Sequence, residues 1–265
     1  MPDVHSNNYL KIIVEVLPVT TRRLEDEIVR RNDYFSKMNS AEQDDFLGIS
    51  YTHSTNQLVA CCDALKSLEF LSRGPAEQFQ VNVTQNGVAG ILRQALEALA
   101  TFEWLNNCVT EEEKRQKAHS YQMADLQERA NFYKDLGDER EYQKTVKMKE
   151  EYLQVGLLKG YSKKDRDKKG NPVGKQEKPL LGITDLCGRL LTPEYIFTKE
   201  VLAIYPGMQN ASWLYRWSSG MAHGKFWVNL FLTDSKGTGK ITPNYLNLNA
   251  LLLTILMVID KVIDT

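Results

Sequence analysis

A helical hydrophobic period runs through nearly every segment of this chain, and strand-like alternation is almost absent. Val14, Leu17, Leu24, Ile28 and Phe35 fall on one stripe, with Thr21 and Arg31 filling the intervening steps. They predict a first helix of about 25 residues that Pro18 starts or bends. Leu58, Cys61, Leu65 and Leu68 predict a second, and residues 85–108 a third, with Ile91, Leu92, Ala95, Leu96, Leu99 and Phe102 on one arc. Eight prolines and 16 glycines in 265 residues also favour long regular elements over a turn-rich β fold. The expectation is an all-α bundle forming a single helical domain over residues 1–265.

Punctuation refines that outline. Thr110 with Glu113 matches a capping box, and the helix it opens should stop at Gly137. Another should run from near Asp138 to near Gly160, so residues 110–160 read as a charged helical hairpin on the surface of the bundle. Residues 159–179 read as a basic flexible loop broken by Gly170, Asn171, Pro172 and Gly174. Seven cations there (Lys163, Lys164, Arg166, Lys168, Lys169, Lys175 and Lys178) face three anions. The loop is either a plain solvated segment or a phosphate-steering one, with Lys163, Lys164, Lys168 and Lys169 as its candidate RNA contacts. Helices should resume near Leu180, around Pro193, over residues 209–223 and from 243 to the C-terminus. Residues 226–232 could form a short strand.

Composition bounds the partners. With 42% hydrophobic and 25% charged residues the chain is globular, and 33 Lys+Arg against 34 Asp+Glu leave a net charge of −1. Any nucleic-acid contact must therefore come from a local patch. Cys61, Cys62, Cys108 and Cys187 have neither paired spacing nor a histidine at zinc-ligand distance, and read as small thiols in a reducing compartment. No metal and no cofactor are implied. The N-terminus lacks the pattern of a secretion signal. Residues 250–259 are the most apolar stretch, half of the ~20 residues a bilayer span needs, so they read as an apolar C-terminal core helix and the protein as cytoplasmic. Gly237, Gly239 and Lys240 resemble the end of a phosphate-binding loop, but Asp234 and Ile241 occupy positions that motif requires otherwise.

One constellation carries chemistry. On a helix at about 100° per residue from Trp213, the side chains of Trp213, Leu214, Trp217 and Met221 form an apolar stripe. Ser219, His223 and Arg216 gather near 240°, 280° and 300°, with Tyr215 beside them near about 200°. Gly224 would end the helix and leave His223 in its last turn, where the dipole favours the imidazolium. A histidine near the operating pH beside a fixed arginine suits phosphate chemistry, although both residues are also common on solvated faces. On the third helix Arg93 and Glu97 form either a solvated i,i+4 pair or a support in which Glu97 orients Arg216 or His223.

The spacing of Arg216 and His223 resembles the Arg-x4–6-His signature of the HEPN superfamily of all-α proteins. The block Ile91 to Ala98 with Phe102 to Leu105, followed by Tyr215, Ser219, His223 and Gly224, is similar to a group of bacterial HEPN-like helical proteins. The likeness covers residues 85–225 with long unmatched stretches. It implies a four-helix-bundle core, often a homodimer, and a cytoplasmic effector of toxin–antitoxin or phage-defence modules, sometimes with a small antitoxin partner. Many such proteins are metal-independent endoribonucleases, in which the ribose 2′-hydroxyl attacks the adjacent phosphate and leaves a cyclic phosphate end. By that resemblance His223 would be the acid–base and Arg216 the phosphate binder, supported by Ser219, Tyr215, Glu97 and Arg93. Active members usually carry Asn, Asp or His directly after the arginine. Trp217 stands there in this chain, so a non-catalytic interaction or regulatory protein on the same bundle stays open.

Overall fold

A computed structural model describes residues 11–40, 45–72, 85–166, 172–190, 212–222 and 245–263. Of these residues 86% are helical, which makes the fold all-α. The eight helices are α1 (Leu17–Lys37), α2 (Phe46–Ser72), α3 (Gln85–Asn106), α4 (Glu111–Leu136), α5 (Glu139–Lys159), α6 (Ile183–Leu190), α7 (Ser212–Ala222) and α8 (Tyr245–Ile263). Between α5 and α6 lie two strands, β1 (Ser162–Arg166) and β2 (Pro172–Gln176). The chain divides into two compact units, one of Met1–Asn32, Thr55–Glu103 and Ile183–Thr265, the other of Asp33–Ser54 and Trp104–Gly182.

In the first unit, the start of α1 departs from the expected stripe. A five-residue π-helical turn, Ile12–Val16, precedes it, and the Leu17 N–H donates to the Ile12 carbonyl. Pro18 has no N–H and its ring conflicts with the carbonyl four residues back, a conflict that a wider turn relieves. The wider turn also rotates Val14 outward to 39% exposure and buries Ile13 instead. Along α1 the expected positions Leu17, Thr21, Leu24 and Arg31 are buried. So are Leu58, Cys61, Leu65 and Leu68 on α2 and Leu92, Ala95, Leu96, Leu99 and Phe102 on α3. Arg31 is tolerated in this core because its Nε donates to Thr55 Oγ1 at 3.0 Å and its guanidinium lies 5.2 Å over the Phe102 ring, with Glu27 at 3.8 Å. α8 is buried on most of its circumference through Leu248, Leu251, Leu252, Ile255, Val258 and Ile259. No described helix is long and apolar enough to cross a membrane.

The second unit is built on the charged hairpin. Thr110 Oγ1 accepts from the Glu113 N–H at 3.1 Å, the Glu113 carboxylate accepts from the Val109 N–H at 3.2 Å, and Gly137 closes α4 at φ 75°. Asp138 caps α5 by accepting from the Glu141 N–H at 3.1 Å, and Gly160 ends it at φ 75°. The pairings of His119 with Tyr152 and of Gln127 with Lys149 show that α4 and α5 run antiparallel.

The expected basic flexible loop is corrected here. Within it β1 and β2 pair antiparallel, with Ser162 opposite Gln176 and Lys163 opposite Lys175. Pro172 opens its strand, where a missing N–H is harmless. A Cβ on Gly174 would run into Leu153 Cδ1, so that glycine marks a close approach of strand to helix. The facing lysines on the outer surface are offset by Glu177, which pairs with Lys163, and by Asp165, 4.0 Å from Lys175. Of the residues read as breakers, Pro172 and Gly174 lie within β2, and Gly170 and Asn171 lie outside the described residues.

Candidate functional site

Helix α7 lies in the first unit and packs against α6 and α8. Trp217, Ser218 and Met221 are buried, as the expected apolar stripe requires for Trp217 and Met221. Arg216 is exposed and Ser219 half-buried, and they share one edge of the helix. Arg216 makes no hydrogen bond or ion pair with another described residue. His223 lies outside the described residues, as do Lys168 and Lys169.

Tyr215 does not join that edge. It is 5% exposed, and its Oη donates to Glu97 Oε1 at 3.0 Å. Arg93 Nε donates to the same oxygen at 2.7 Å, and the guanidinium sits 5.7 Å over the Tyr215 ring. Glu97 is therefore held by Arg93 and Tyr215, and it anchors α7 rather than orienting Arg216. The inward turn of Tyr215 is the geometric counterpart of the outward turn of Arg216, because successive residues of a helix point about 100° apart.

The electrostatics fit a packing role for this inner cluster. Burial, reinforced by the Glu97 charge, raises the Tyr215 pKa, while a hydrogen bond from Thr184 works the other way. The phenol stays neutral and donates. Burial opposes the charge on Arg93, but the hydrogen bond and charge of Glu97 outweigh it and hold the guanidinium protonated. Burial, with the nearby Glu97 charge, pushes the Cys187 thiol up to about 12, which makes it a poor nucleophile. Among the described residues no group of three or more His, Cys, Asp or Glu is placed to hold a metal ion.

The basic segment supplies fewer free cations than its composition suggests. Lys163 pairs with Glu177, and Lys178 lies 3.5 Å from Glu113. Lys164 is exposed and makes no ion pair with another described residue. Sequence reading missed the Tyr215–Glu97 bond, which joins residues 118 positions apart and has no local signature. It also missed Thr184 and Cys187, which enter the cluster through α6. Compared with protein-family models, with curated proteins and with solved structures, the chain matches none.

Proposed function

We propose that this protein is an RNA-directed effector of a toxin–antitoxin or phage-defence module. Arg216 holds a phosphate, and His223, seven residues further along the sequence, exchanges the proton when the RNA is cut. The observation that carries the reading is the segregation on α7: buried residues surround Arg216, yet its guanidinium faces solvent without a described partner. An arginine so placed has its five donors free for a bidentate phosphate contact. Ser219 shares the edge and can donate to the same group. A homodimer with two such edges, or a small partner protein that covers one, fits the same reading.

The second reading is a non-catalytic interaction protein on the same bundle. What favours it is that Arg93, Glu97 and Tyr215 are all engaged in holding α7, and that Trp217 is a buried packing residue where a polar group would assist cleavage.

The deciding comparison incubates total RNA, with a chelator present, with the wild type, Arg216→Ala and His223→Ala, each confirmed folded. General acid–base catalysis is worth about 10²–10⁴-fold, so each variant should lose at least ~10²-fold in cleavage and the wild-type products should carry cyclic phosphate ends. Equal decay in all three samples, or decay abolished by the chelator, rejects the mechanism. No decay in any sample, with RNA binding weakened in Arg216→Ala, selects the non-catalytic reading.

A further inference from the structure

The second unit holds a buried imidazole that the proposed function does not use. His119, on α4, is 0% exposed. Its Nε2 lies 3.1 Å from the Tyr152 carbonyl of α5 and must donate to it, which assigns the lone pair to Nδ1. Nδ1 is buried without a hydrogen-bond partner among the described residues. The ring is walled by Phe46 at 5.2 Å and Tyr161 at 5.9 Å between centroids. A Cβ on Gly156 would overlap the imidazole, so α5 carries a glycine where the ring approaches it.

The charged groups around this box pair with one another and not with His119. From the start of α2 comes Asp45, 2.9 Å from Arg115 of α4. Glu111 and Glu112 of α4 lie 3.6 and 3.9 Å from the same guanidinium. Glu112 also accepts from the Tyr161 hydroxyl at 3.4 Å, and Lys159 of α5 acts on Asp45. Burial would raise the Asp45 carboxyl, but the hydrogen bonds from Arg115 and the Phe46 N–H, with the Arg115 and Lys159 charges, hold it below its usual value. Burial and Glu112 push the Tyr161 phenol up to about 12. Asp45 therefore stays ionised and Tyr161 neutral between pH 7 and about pH 5. The imidazole itself is governed by burial, which disfavours its charged form, and by the Tyr152 carbonyl.

We propose that His119 is an acid-released latch, whose protonation frees Tyr161 and the β1–β2 hairpin from the α4–α5 pair. A second N–H at Nδ1 would find no acceptor and no counter-charge in the box. Tyr161 is the element that gives way, because it joins the hairpin to α5, beside the Leu153–Gly174 contact: its N–H donates to the Gly156 carbonyl at 2.7 Å and its carbonyl accepts from Glu177 at 2.8 Å. The two strands pair only with each other among the described residues, and such a ribbon is marginal without an anchor. The sign follows from linkage. The open state binds the proton at the ordinary histidine value of about 6.5 while the closed state resists it, so opening grows as pH falls, by up to about tenfold per pH unit for one proton.

Hydrogen exchange of the full chain from pH 7.5 to 5.0, corrected for intrinsic exchange, tests this. Protection over residues 150–166 and 172–177 should fall by up to about tenfold per unit below pH 6.5 in the wild type, while α3 and α8 keep theirs. His119→Gln, which donates to the same carbonyl and does not titrate, should remove the slope. His53→Gln, at the imidazole bonded to Gln122 at 2.5 Å, should leave it unchanged. A flat wild-type profile, or an equal slope in folded His119→Gln, overturns the proposal. If His119→Gln does not fold, the wild-type imidazole followed by NMR decides. Its protonation should coincide with the loss of protection, and protonation with these amides still protected overturns the latch.

Discussion

Tyr215 illustrates how much one hydroxyl can decide. Its bond to Glu97 fixes which side of α7 faces the core, and Arg216 is left outside as a consequence. A hydrogen bond to a charged group contributes about 1.5–3 kcal/mol, but Glu97 keeps its Arg93 partner and is 27% exposed, so solvent screening brings the loss below that range. Tyr215→Phe should therefore lower the unfolding free energy by about 1 kcal/mol at unchanged denaturant slope, read by urea titration. A loss below about 0.3 kcal/mol would mean that ring packing alone sets the helix. Arg216→Ala should cost less than about 0.5 kcal/mol in the same titration, since an exposed side chain without a described partner carries little stability. The polar character of position 215 was legible in the sequence, but its direction was not. Helical spacing places Tyr215 beside the Arg216 edge, and only a carboxylate 118 residues away pulls it inward. His119 was equally silent, because its partner is a backbone carbonyl, which any residue would supply.

At the scale of elements, legibility follows from whether the signal is local. The caps of α4 and α5 could be read because capping joins residues three apart, and Thr110, Gly137, Asp138 and Gly160 all stand where the termini are found. The π-helical turn before Pro18 and the β1–β2 hairpin could not. The first is a compromise between a proline and a core, and the second depends on Leu153 meeting a strand that has no side chain at Gly174. The capping box yields a prediction with a definite sign. The Glu113 carboxyl is held below its usual value, first by the Val109 N–H and further by Lys117 and Lys178, against the effect of burial. A group whose folded pKa is depressed contributes stability above its unfolded pKa, about 4.3–4.5, and that contribution is lost as pH falls through the folded value. Thr110→Ala should cost about 1 kcal/mol at pH 7. Glu113→Gln should also destabilise at pH 7, and its deficit should shrink as pH falls below about 4.3–4.5 and the wild-type carboxylate takes up its proton. A deficit that persists unchanged at pH 3 would assign the effect to packing instead of charge.

For the whole molecule the all-α class was legible because it needs only the period, whereas the division into two units depends on contacts far apart in the chain. The four cysteines turn that division into a measurement. Cys61, Cys62 and Cys187 belong to the first unit and are buried, while Cys108 belongs to the second and is half-buried. Burial pushes the Cys62 thiol up to about 11 and Cys187 to about 12, and raises Cys61 further still. Thiolate is the reactive form, so in the native state these three are inert for two reasons: little thiolate and no access. Cys108 is shifted less, because Lys117 and Lys114 offset part of its burial. Labelling at pH 8 with a small thiol reagent should therefore modify Cys108 first. The other three should follow only through opening of the first unit, with one shared rate that rises in urea along with its unfolding. Three separate rates with no urea dependence would mean that the unit exposes its thiols by local fluctuation, and that its core does not open as one cooperative body.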